Sequence, residues 1–240
     1  MTRIVGYRVI ERLYEGNKTF VCRGQREQDQ FSVILKILRQ DHPTPHTITR
    51  FKLEYDITRQ LNLDSTVKAY CLETYQHRLV MVLEDFGGMS LNQLLKTRKF
   101  SLEEILKIGI QTATALGQIH DRHIIHKDIN PANIVLNLAT QQLKIIDFGI
   151  ATRLSQETPI ACSPYTLEGT LAYLSPEQTG RMNRSLDYRT DFYSLGVMLY
   201  ELLTDQRPFR STDLMELVHA HLARPPVPPH EVNSAIPLAV

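Results

Sequence analysis

The stretch that decides the fold is His126-Lys127-Asp128-Ile129-Asn130-Pro131-Ala132-Asn133, which places five polar residues between two apolar pairs. The flanking pairs, Ile124-Ile125 and Ile134-Val135, have the β-branched composition of short buried strands. Polar residues between buried strands usually serve a site, but Asp, Asn and Pro are also typical of a solvated turn. By itself, the stretch leaves both interpretations open.

Three further charged groups lie outside this stretch. Lys36 ends the apolar run Val33-Ile34-Leu35, Glu54 falls on the helix predicted after it, and Asp147-Phe148-Gly149 follows a predicted strand from Leu143 to Ile146. A lysine at a strand edge and a glutamate on a helix are ordinarily surface charges. A carboxylate followed by a flexible glycine is suited to holding a hard cation.

The N-terminal third predicts antiparallel strands that are interrupted by one helix. Short β-branched and aromatic segments alternate with glycine and polar clusters at Tyr7 to Tyr14, Thr19 to Gly24, Phe31 to Leu38, Val67 to Tyr75 and Leu79 to Asp85. The first three are expected to form a meander. Apolar residues at helical spacing follow Pro45 and continue through Leu63, which predicts the helix.

The rest of the chain predicts helices. Ser101 and Glu104 form a capping box that opens a helix through Ile119, and further helices are expected from Thr190 to Leu203 and from Ser211 to Leu222. The prolines after Leu222 are expected to prevent any further helix. A boundary near Gly87 divides the chain into a β-rich N-terminal lobe, 1–86, and a helical C-terminal lobe, 87–240.

Composition excludes several classes of protein. The 240 residues carry 27 basic and 26 acidic side chains, which argues against nucleic-acid binding, and three distant cysteines argue against a disulfide framework or a zinc site. No apolar run approaches the roughly 18 residues of a membrane span, and the N-terminus lacks the apolar core of a secretory signal. We expect a cytoplasmic protein with no membrane span.

The charged groups occur in a diagnostic order: Lys36, Glu54, the His-x-Asp-x-x-x-x-Asn of 126–133, Asp-Phe-Gly at 147–149 and Ser-Pro-Glu at 175–177. This set resembles the protein kinase signature, and the joint match is far more specific than any single motif. The resemblance extends from about Tyr7 to the last residue. It implies an α+β, two-lobed protein-kinase-like fold that is C-terminally truncated, since the family normally continues for several helices.

The resemblance also implies the chemistry: transfer of the γ-phosphate of Mg-ATP to a protein Ser or Thr hydroxyl. Asp128 would orient and deprotonate that hydroxyl, Glu54 would pair with Lys36, and Thr170 could hydrogen-bond to Asp128. Asn133 and Asp147 would hold Mg²⁺. The residues implied at the ATP site are Gly16, Val21, Ile34, Lys36, Leu83, Glu84, Phe86 and Leu136.

Four departures from the pattern keep alternatives open. The phosphate-covering loop retains only Gly16 and Val21, the bulky Ile34 replaces a small residue, and Asn130 replaces a catalytic-loop lysine. Lys127 replaces the usual arginine, so activation by phosphorylation at 155, 158, 163 or 166 is not expected. The main alternative is a pseudokinase, or weakly active nucleotide-binding scaffold, that regulates attached domains. A small-molecule phosphotransferase is a third interpretation.

The sequences of 126–133, 167–184 and 187–195 resemble those of a narrower group, the N-terminal kinase domains of large bacterial signalling proteins. Those proteins continue into an ATPase module and a sensor histidine kinase, which this resemblance implies as partners in a longer chain. A later segment of the family normally supplies an arginine to the glutamate that is here Glu177. We therefore expect an unpaired carboxylate and reduced stability in the present chain.

Overall fold

The computed structural model describes residues 4–16, 18–39, 43–154, 170–181 and 185–238. The chain forms two compact units. The first contains residues 1–88 together with 137–140 and 147–149, and the second contains 89–136, 141–146 and 150–240. The candidate phosphorylation positions 155, 158, 163 and 166 lie outside the described residues.

The first unit is an antiparallel five-stranded sheet with one helix. The strands follow the order β1-β2-β3-β5-β4, so the first three form the expected meander. The element bounds are β1 Tyr7–Glu15, β2 Thr19–Arg26, β3 Ser32–Leu38, α1 Pro45–Leu61, β4 Ala69–Tyr75 and β5 Arg78–Glu84.

Alternation along β3 gives the sheet two different faces. Val33, Leu35 and Ile37 are at most 1% exposed and pack in one apolar core with Phe20 of β2 and Val82 of β5. Because successive strand residues point to opposite faces, the intervening residues of β3 lie on the other face. That second face carries the lysine singled out by the sequence.

Specific residues mark both ends of helix α1. The Thr44 hydroxyl accepts a hydrogen bond from the Thr47 backbone N–H, and Pro45 occupies the first turn, where its missing N–H leaves no hydrogen bond unmade. The helix ends at Leu61, two residues before the predicted end, because Asn62 adopts a left-handed conformation with φ 39°.

The second unit is mainly helical and contains two small sheets. One sheet pairs β10 with β7, and the other has the order β6-β8-β9. The element bounds are β6 Met89–Ser90, α2 Leu91–Leu94, α3 Leu102–His120, β7 Ile124–Ile125, β8 Ile134–Leu136, β9 Leu143–Ile145, β10 Thr152–Arg153, α4 Arg189–Thr204, α5 Leu214–Ala223 and α6 Pro229–Val232.

Two sequence predictions in this unit have opposite outcomes. The capping box of α3 is confirmed, since Ser101 and Glu104 each accept a hydrogen bond from the other's backbone N–H. The prediction that the prolines forbid further helix is wrong, because the short helix α6 begins at Pro229. Proline is favourable at the first position of a helix, where no intrahelical N–H bond is required.

A small cluster attaches α5 to the rest of the second unit. Phe209, Leu217 and Ala220 are buried together, and the His221 ring packs edge-on to Phe209 with centroids 5.0 Å apart. Nδ1 of His221 lies 2.8 Å from the Tyr193 hydroxyl of α4, whereas its buried Nε2 has no hydrogen-bond partner among the described residues. Burial lowers the pKa of His221 to about 4.

This buried histidine predicts a pH dependence of stability. Below its ordinary pKa of 6.5 the unfolded chain binds a proton that the folded chain excludes, so the free energy of unfolding falls between pH 6.5 and about 4. The loss from this group reaches about 3 kcal/mol. Urea denaturation over this pH range should show a shallower decline for His221→Asn, whose amide can keep a bond to Tyr193. Parallel curves for the two proteins would contradict the prediction.

Candidate functional site

Lys36, Glu54 and Asp147 form a cluster within the first unit, here called the lysine cluster. Nζ of Lys36 donates to Oε1 of Glu54 at 2.6 Å and to Oδ1 of Asp147 at 2.9 Å. The side chains of Lys36 and Glu54 are 10% and 7% exposed, whereas that of Asp147 is 43% exposed. Glu54 therefore serves as a buried anchor, and Asp147 presents its carboxylate towards solvent.

The charges of the lysine cluster depend on one another. Burial alone would lower the pKa of Lys36, but the attraction of Asp147 and Glu54 outweighs it and raises the pKa, so the ammonium stays charged. Burial, with the nearby Asp147 carboxylate, raises the pKa of Glu54 despite the attraction of Lys36. The cluster thus fixes one positive charge at the end of a stem that would otherwise be mobile.

Three of the other implied ATP-site residues share the sheet face of Lys36. Val21 of β2 lies directly opposite Lys36, and Leu83 of β5 lies directly opposite Ile34. Because paired residues lie on one face and Ile34 is two positions before Lys36, all four side chains belong to that face. Ile34 is only partly buried there, so its extra bulk lies on the surface that carries the lysine.

The loop between β1 and β2 departs from a glycine-rich phosphate loop in structure as well as in sequence. The backbone N–H of Gly16 donates to the Thr19 carbonyl at 2.9 Å, and a Cβ at Gly16 would lie only 2.6 Å from the Tyr14 hydroxyl. Tyr14 thus folds back over Gly16, which is tolerated because glycine has no side chain there. Asn17 lies outside the described residues.

Two of the implied ATP-site residues, Glu84 and Phe86, already make backbone hydrogen bonds. The backbone N–H of Glu84 donates to the Lys68 carbonyl at 2.9 Å, and the Phe86 carbonyl accepts from the Asn137 side chain at 2.6 Å. The Glu84 N–H could therefore bind a base only by breaking its hydrogen bond to Lys68. Leu136, the remaining implied residue, is buried at the end of β8 in the second unit.

Asp128, Asn130, Asn133 and Thr170 form a second cluster, here called the loop cluster, within the second unit. Oδ1 of Asp128 accepts from the Asn130 amide at 3.0 Å and from the Thr170 backbone N–H at 2.9 Å. Oδ2 of Asp128 accepts from the Asn133 amide at 3.0 Å. Three donors therefore fix the orientation of this carboxylate, and each donor is a neutral N–H group.

Thr170 bonds to Asp128 through its backbone N–H and not through its hydroxyl. The bond is made by the backbone N–H, while the Thr170 hydroxyl accepts from the Asn130 amide at 3.2 Å. The other end of the Asn130 side chain accepts from the Ala132 backbone N–H at 2.9 Å. Asn130 consequently connects the 126–133 loop to the segment that contains Thr170.

A buried carboxylate from a distant part of the sequence holds the backbone of this loop. Asp191 of α4 is fully buried, and its carboxylate accepts from the backbone N–H groups of His126 and Lys127 at 2.9 and 2.8 Å. The same carboxylate lies 2.8 Å from Nε2 of His120, the last residue of α3. The family resemblance implies that Asp191 supports this backbone, whereas its position alone allows a mere helix N-terminal charge. The structure shows the support, from 64 and 65 residues away.

His126 joins the loop to the residue before Asp147. Its Nδ1 accepts from the Asp128 backbone N–H at 3.2 Å, so the ring proton belongs on Nε2, which lies 3.1 Å from the Ile146 carbonyl. The His-x-Asp spacing was the available sequence signal for this contact. The His126 ring thus positions Asp128 through the Asp128 backbone N–H and not through the Asp128 carboxylate.

The Glu177 carboxylate, expected to be without its arginine, has a different hydrogen-bond partner within the described residues. Oε1 of Glu177 accepts a hydrogen bond from the Thr190 hydroxyl at 2.7 Å. A charged acceptor bonded to a hydroxyl escapes part of the penalty that an isolated buried charge incurs. The reason for predicting low stability is correspondingly weaker.

A known protein family and several known proteins match most of this chain. The protein kinase domain family matches residues 7–233. The chain belongs to the protein kinase family. It is 31% identical over 96% of its length to a probable serine/threonine-protein kinase of Clostridium perfringens, and 34% identical over 85% to the serine/threonine-protein kinase PknB of Mycobacterium leprae. It is also 30% identical over 99% to the serine/threonine-protein kinase Pkn1 of Myxococcus xanthus.

This kinase domain spans about a third of the length of those relatives, 33%, 33% and 34% respectively. The predicted fold class is confirmed: one unit is an antiparallel sheet with a helix and the other is mainly helical. In the ranges that the structure describes, no helix combines the length and hydropathy needed to cross a bilayer.

Proposed function

We propose that this kinase domain transfers the γ-phosphate of ATP to Ser or Thr hydroxyls of proteins. The observation that carries the proposal is the loop cluster, in which three N–H donors fix the Asp128 carboxylate. Phosphoryl transfer depends on positioning and charge stabilisation, and a carboxylate held in this way can receive and orient a hydroxyl. The names of the similar serine/threonine kinases support the same activity.

The lysine cluster supplies the positive charge that the proposal requires. Lys36 is charged and anchored by Glu54, so it can bind phosphate oxygens without first losing the freedom of a mobile stem. Glu54 acts as a positioning residue, because it reaches phosphate only through Lys36. Val21, Ile34 and Leu83 provide apolar surface on the same sheet face, which suits the flat face of adenine.

The donor atoms fit Mg²⁺, whose charge would neutralise the phosphates during transfer. Within the described residues, Asn133 uses its amide nitrogen for both of its side-chain hydrogen bonds, to the carbonyl and to Oδ2 of Asp128, which leaves its oxygen for a cation. Asp147 offers a half-exposed carboxylate, of which Oδ1 accepts from Lys36 and from the Gly149 backbone. Amide and carboxylate oxygens are the hard ligands that Mg²⁺ prefers.

Asn130 is expected to act as a positioning residue in this reaction. Asn130→Ala removes one donor from Asp128 and leaves the Ala132 backbone N–H without its acceptor, so we expect kcat to fall roughly 10- to 100-fold. Steady-state transfer at saturating Mg-ATP measures this. Asn130→Asp should reduce kcat further, because a second carboxylate would repel Asp128; an active Asn130→Asp enzyme would contradict the assignment.

Phosphate transfer from labelled Mg-ATP tests the proposed function itself. The chain is incubated with a generic protein acceptor after circular dichroism has shown that it is folded, and ATP binding is measured separately with and without Mg²⁺. Phosphoserine or phosphothreonine in the acceptor would support the proposal. A folded chain that binds ATP and transfers none would instead favour the nucleotide-binding scaffold, for which the Tyr14 and Gly16 loop provides a structural reason.

The proposal includes a signalling role within a longer protein. Its support is the resemblance of residues 126–133 and 187–195 to kinase domains that precede an ATPase module and a sensor histidine kinase. In that setting, and in the cytoplasm, the substrates would be proteins of the same signalling system. Limited proteolysis of the natural full-length chain, followed by mass spectrometry, would show whether further folded domains follow this one.

A further inference from the structure

A cavity of about 320 Å³ lies in the second unit, outside both clusters. It lies at the lower end of the roughly 300 to 1,000 Å³ range of small-ligand pockets. Ala172, Phe209 and Leu217 contribute its apolar surface, and all three are buried. The other lining residues are two arginines and the hydroxyl residues of the loop at 211–212.

Among the described residues, the lining is positively charged and contains no acidic residue. Arg207 is already neutralised, since its Nε donates to Oε1 of Glu201 at 3.2 Å and its guanidinium lies 5.4 Å from the centre of the Tyr173 ring. Arg210 is exposed and makes no ion pair with any residue in the described ranges. The cavity therefore offers one uncompensated positive charge beside an apolar floor.

The two acidic residues that follow the 211–212 loop in sequence are occupied by contacts around the start of α5. Oδ1 of Asp213 caps α5 by accepting from the backbone N–H groups of Met215 and Glu216. Glu216 accepts from the Ser211 hydroxyl at 2.6 Å. Neither carboxylate bonds to Arg210, so its charge is available to a ligand.

The cavity lies close along the chain to the loop cluster. The Thr170 backbone N–H bonds to Asp128, and a single helical turn, Leu171–Tyr173, follows at once and brings Ala172 to the cavity wall. Two residues of chain span at most about 7 Å. A protein segment whose hydroxyl met Asp128 would therefore pass this cavity within a few residues of its acceptor.

From this placement we infer that the cavity is a specificity site for the protein substrate and that it binds a glutamate side chain near the acceptor residue. This inference rests on the proposed kinase function. The glutamate carboxylate would pair with Arg210, and its methylene groups would lie on Phe209 and Leu217. One uncompensated guanidinium matches the single charge of a carboxylate better than the nearly double charge of a phosphate group.

A peptide array tests this inference in two readouts. Each peptide carries one threonine in a neutral background, with Glu, Gln, Lys or phosphoserine at one position from six residues before to six after it. The array is read first for bound labelled protein and then for phosphate incorporated from Mg-ATP. At one position, Glu should be favoured over Gln by about fivefold in both readouts, the size of one good exposed ion pair.

Variants before and after α5 provide the matched comparison. Arg210→Glu should abolish the preference for Glu and create one for Lys. Arg224→Glu makes the same charge change beyond the far end of α5, which is about 15 Å long, and should leave the preference intact. Arg210→Gln should remove the preference without reversing it.

The outcomes separate the inference from the function on which it rests. Transfer without any difference between Glu and Gln, or a preference unchanged by Arg210→Glu, would overturn the inference while the kinase function stands. A stronger preference for phosphoserine would overturn the assignment to a carboxylate. Binding that favours Glu and depends on Arg210, with no transfer to any peptide, would support the cavity while contradicting the proposed kinase function.

Discussion

Replacing Asp128 with alanine should reduce kcat for phosphate transfer by about 10² to 10⁴-fold, the usual contribution of a positioned general base. ATP affinity should change little, because Lys36 and Glu54 belong to a separate cluster. Steady-state transfer to a protein acceptor, together with ATP titration of the folded variant, measures both. Asp121→Asn, which changes an exposed carboxylate at the end of α3 in the same unit, should leave both unchanged.

Asp128→Asn should be more harmful than its close shape suggests. The amide introduced at position 128 would have only one oxygen acceptor. Its NH₂ group would therefore face N–H donors, either the Asn133 amide at the Oδ2 position or the two donors at the Oδ1 position. Relief requires Asn133 to turn its own NH₂ group outward, where the proposal needs an oxygen for Mg²⁺. The Mg²⁺ concentration for half-maximal activity should therefore rise in Asp128→Asn and not in Asp128→Ala. An equal dependence in both variants would contradict this account of Asn133.

The sequence predicted the local elements well, because their signals are local. The β-branched and apolar segment from Phe31 to Leu38 predicted β3, and the pairing of Ser101 with Glu104 marked the start of α3. The errors in these elements were also local. Asn62 was assumed to continue α1 but ends it in a left-handed conformation. Pro229 was assumed to prevent a helix but occupies the first position of one.

The support of the candidate site was harder to predict, because it depends on pairings between distant residues. For Asp191, only the family resemblance indicated support of the loop backbone at His126, and nothing in the sequence indicated that His120 lies beside it. Similarly, Thr170 was correctly associated with Asp128, but the use of its backbone N–H follows from how the segment turns at Leu171. A motif identifies which groups meet, whereas tertiary packing decides which atoms do so.

Lys36→Met should reduce both stability and activity, because the lysine cluster contributes to both. Removing the ammonium leaves the Glu54 carboxylate buried without its cation, which should lower the free energy of unfolding by about 3 kcal/mol at pH 8 and abolish transfer. Lys68→Met, which breaks a surface pair with Asp64 at 3.5 Å, should cost less than about 1 kcal/mol. Urea denaturation of the three proteins measures the difference.

The pH dependence identifies the buried carboxylate as the cause. Burial already raises the pKa of Glu54, and without Lys36 the folded variant should bind a proton there more tightly than the unfolded chain does. Stability that depends on this proton is present at low pH and lost as pH rises, so the defect of Lys36→Met should shrink between pH 8 and pH 5. Adding Glu54→Gln should restore most of the stability at pH 8 without restoring transfer. A double variant as unstable as Lys36→Met would show that lost packing of the lysine stem, and not an unpaired charge, causes the defect.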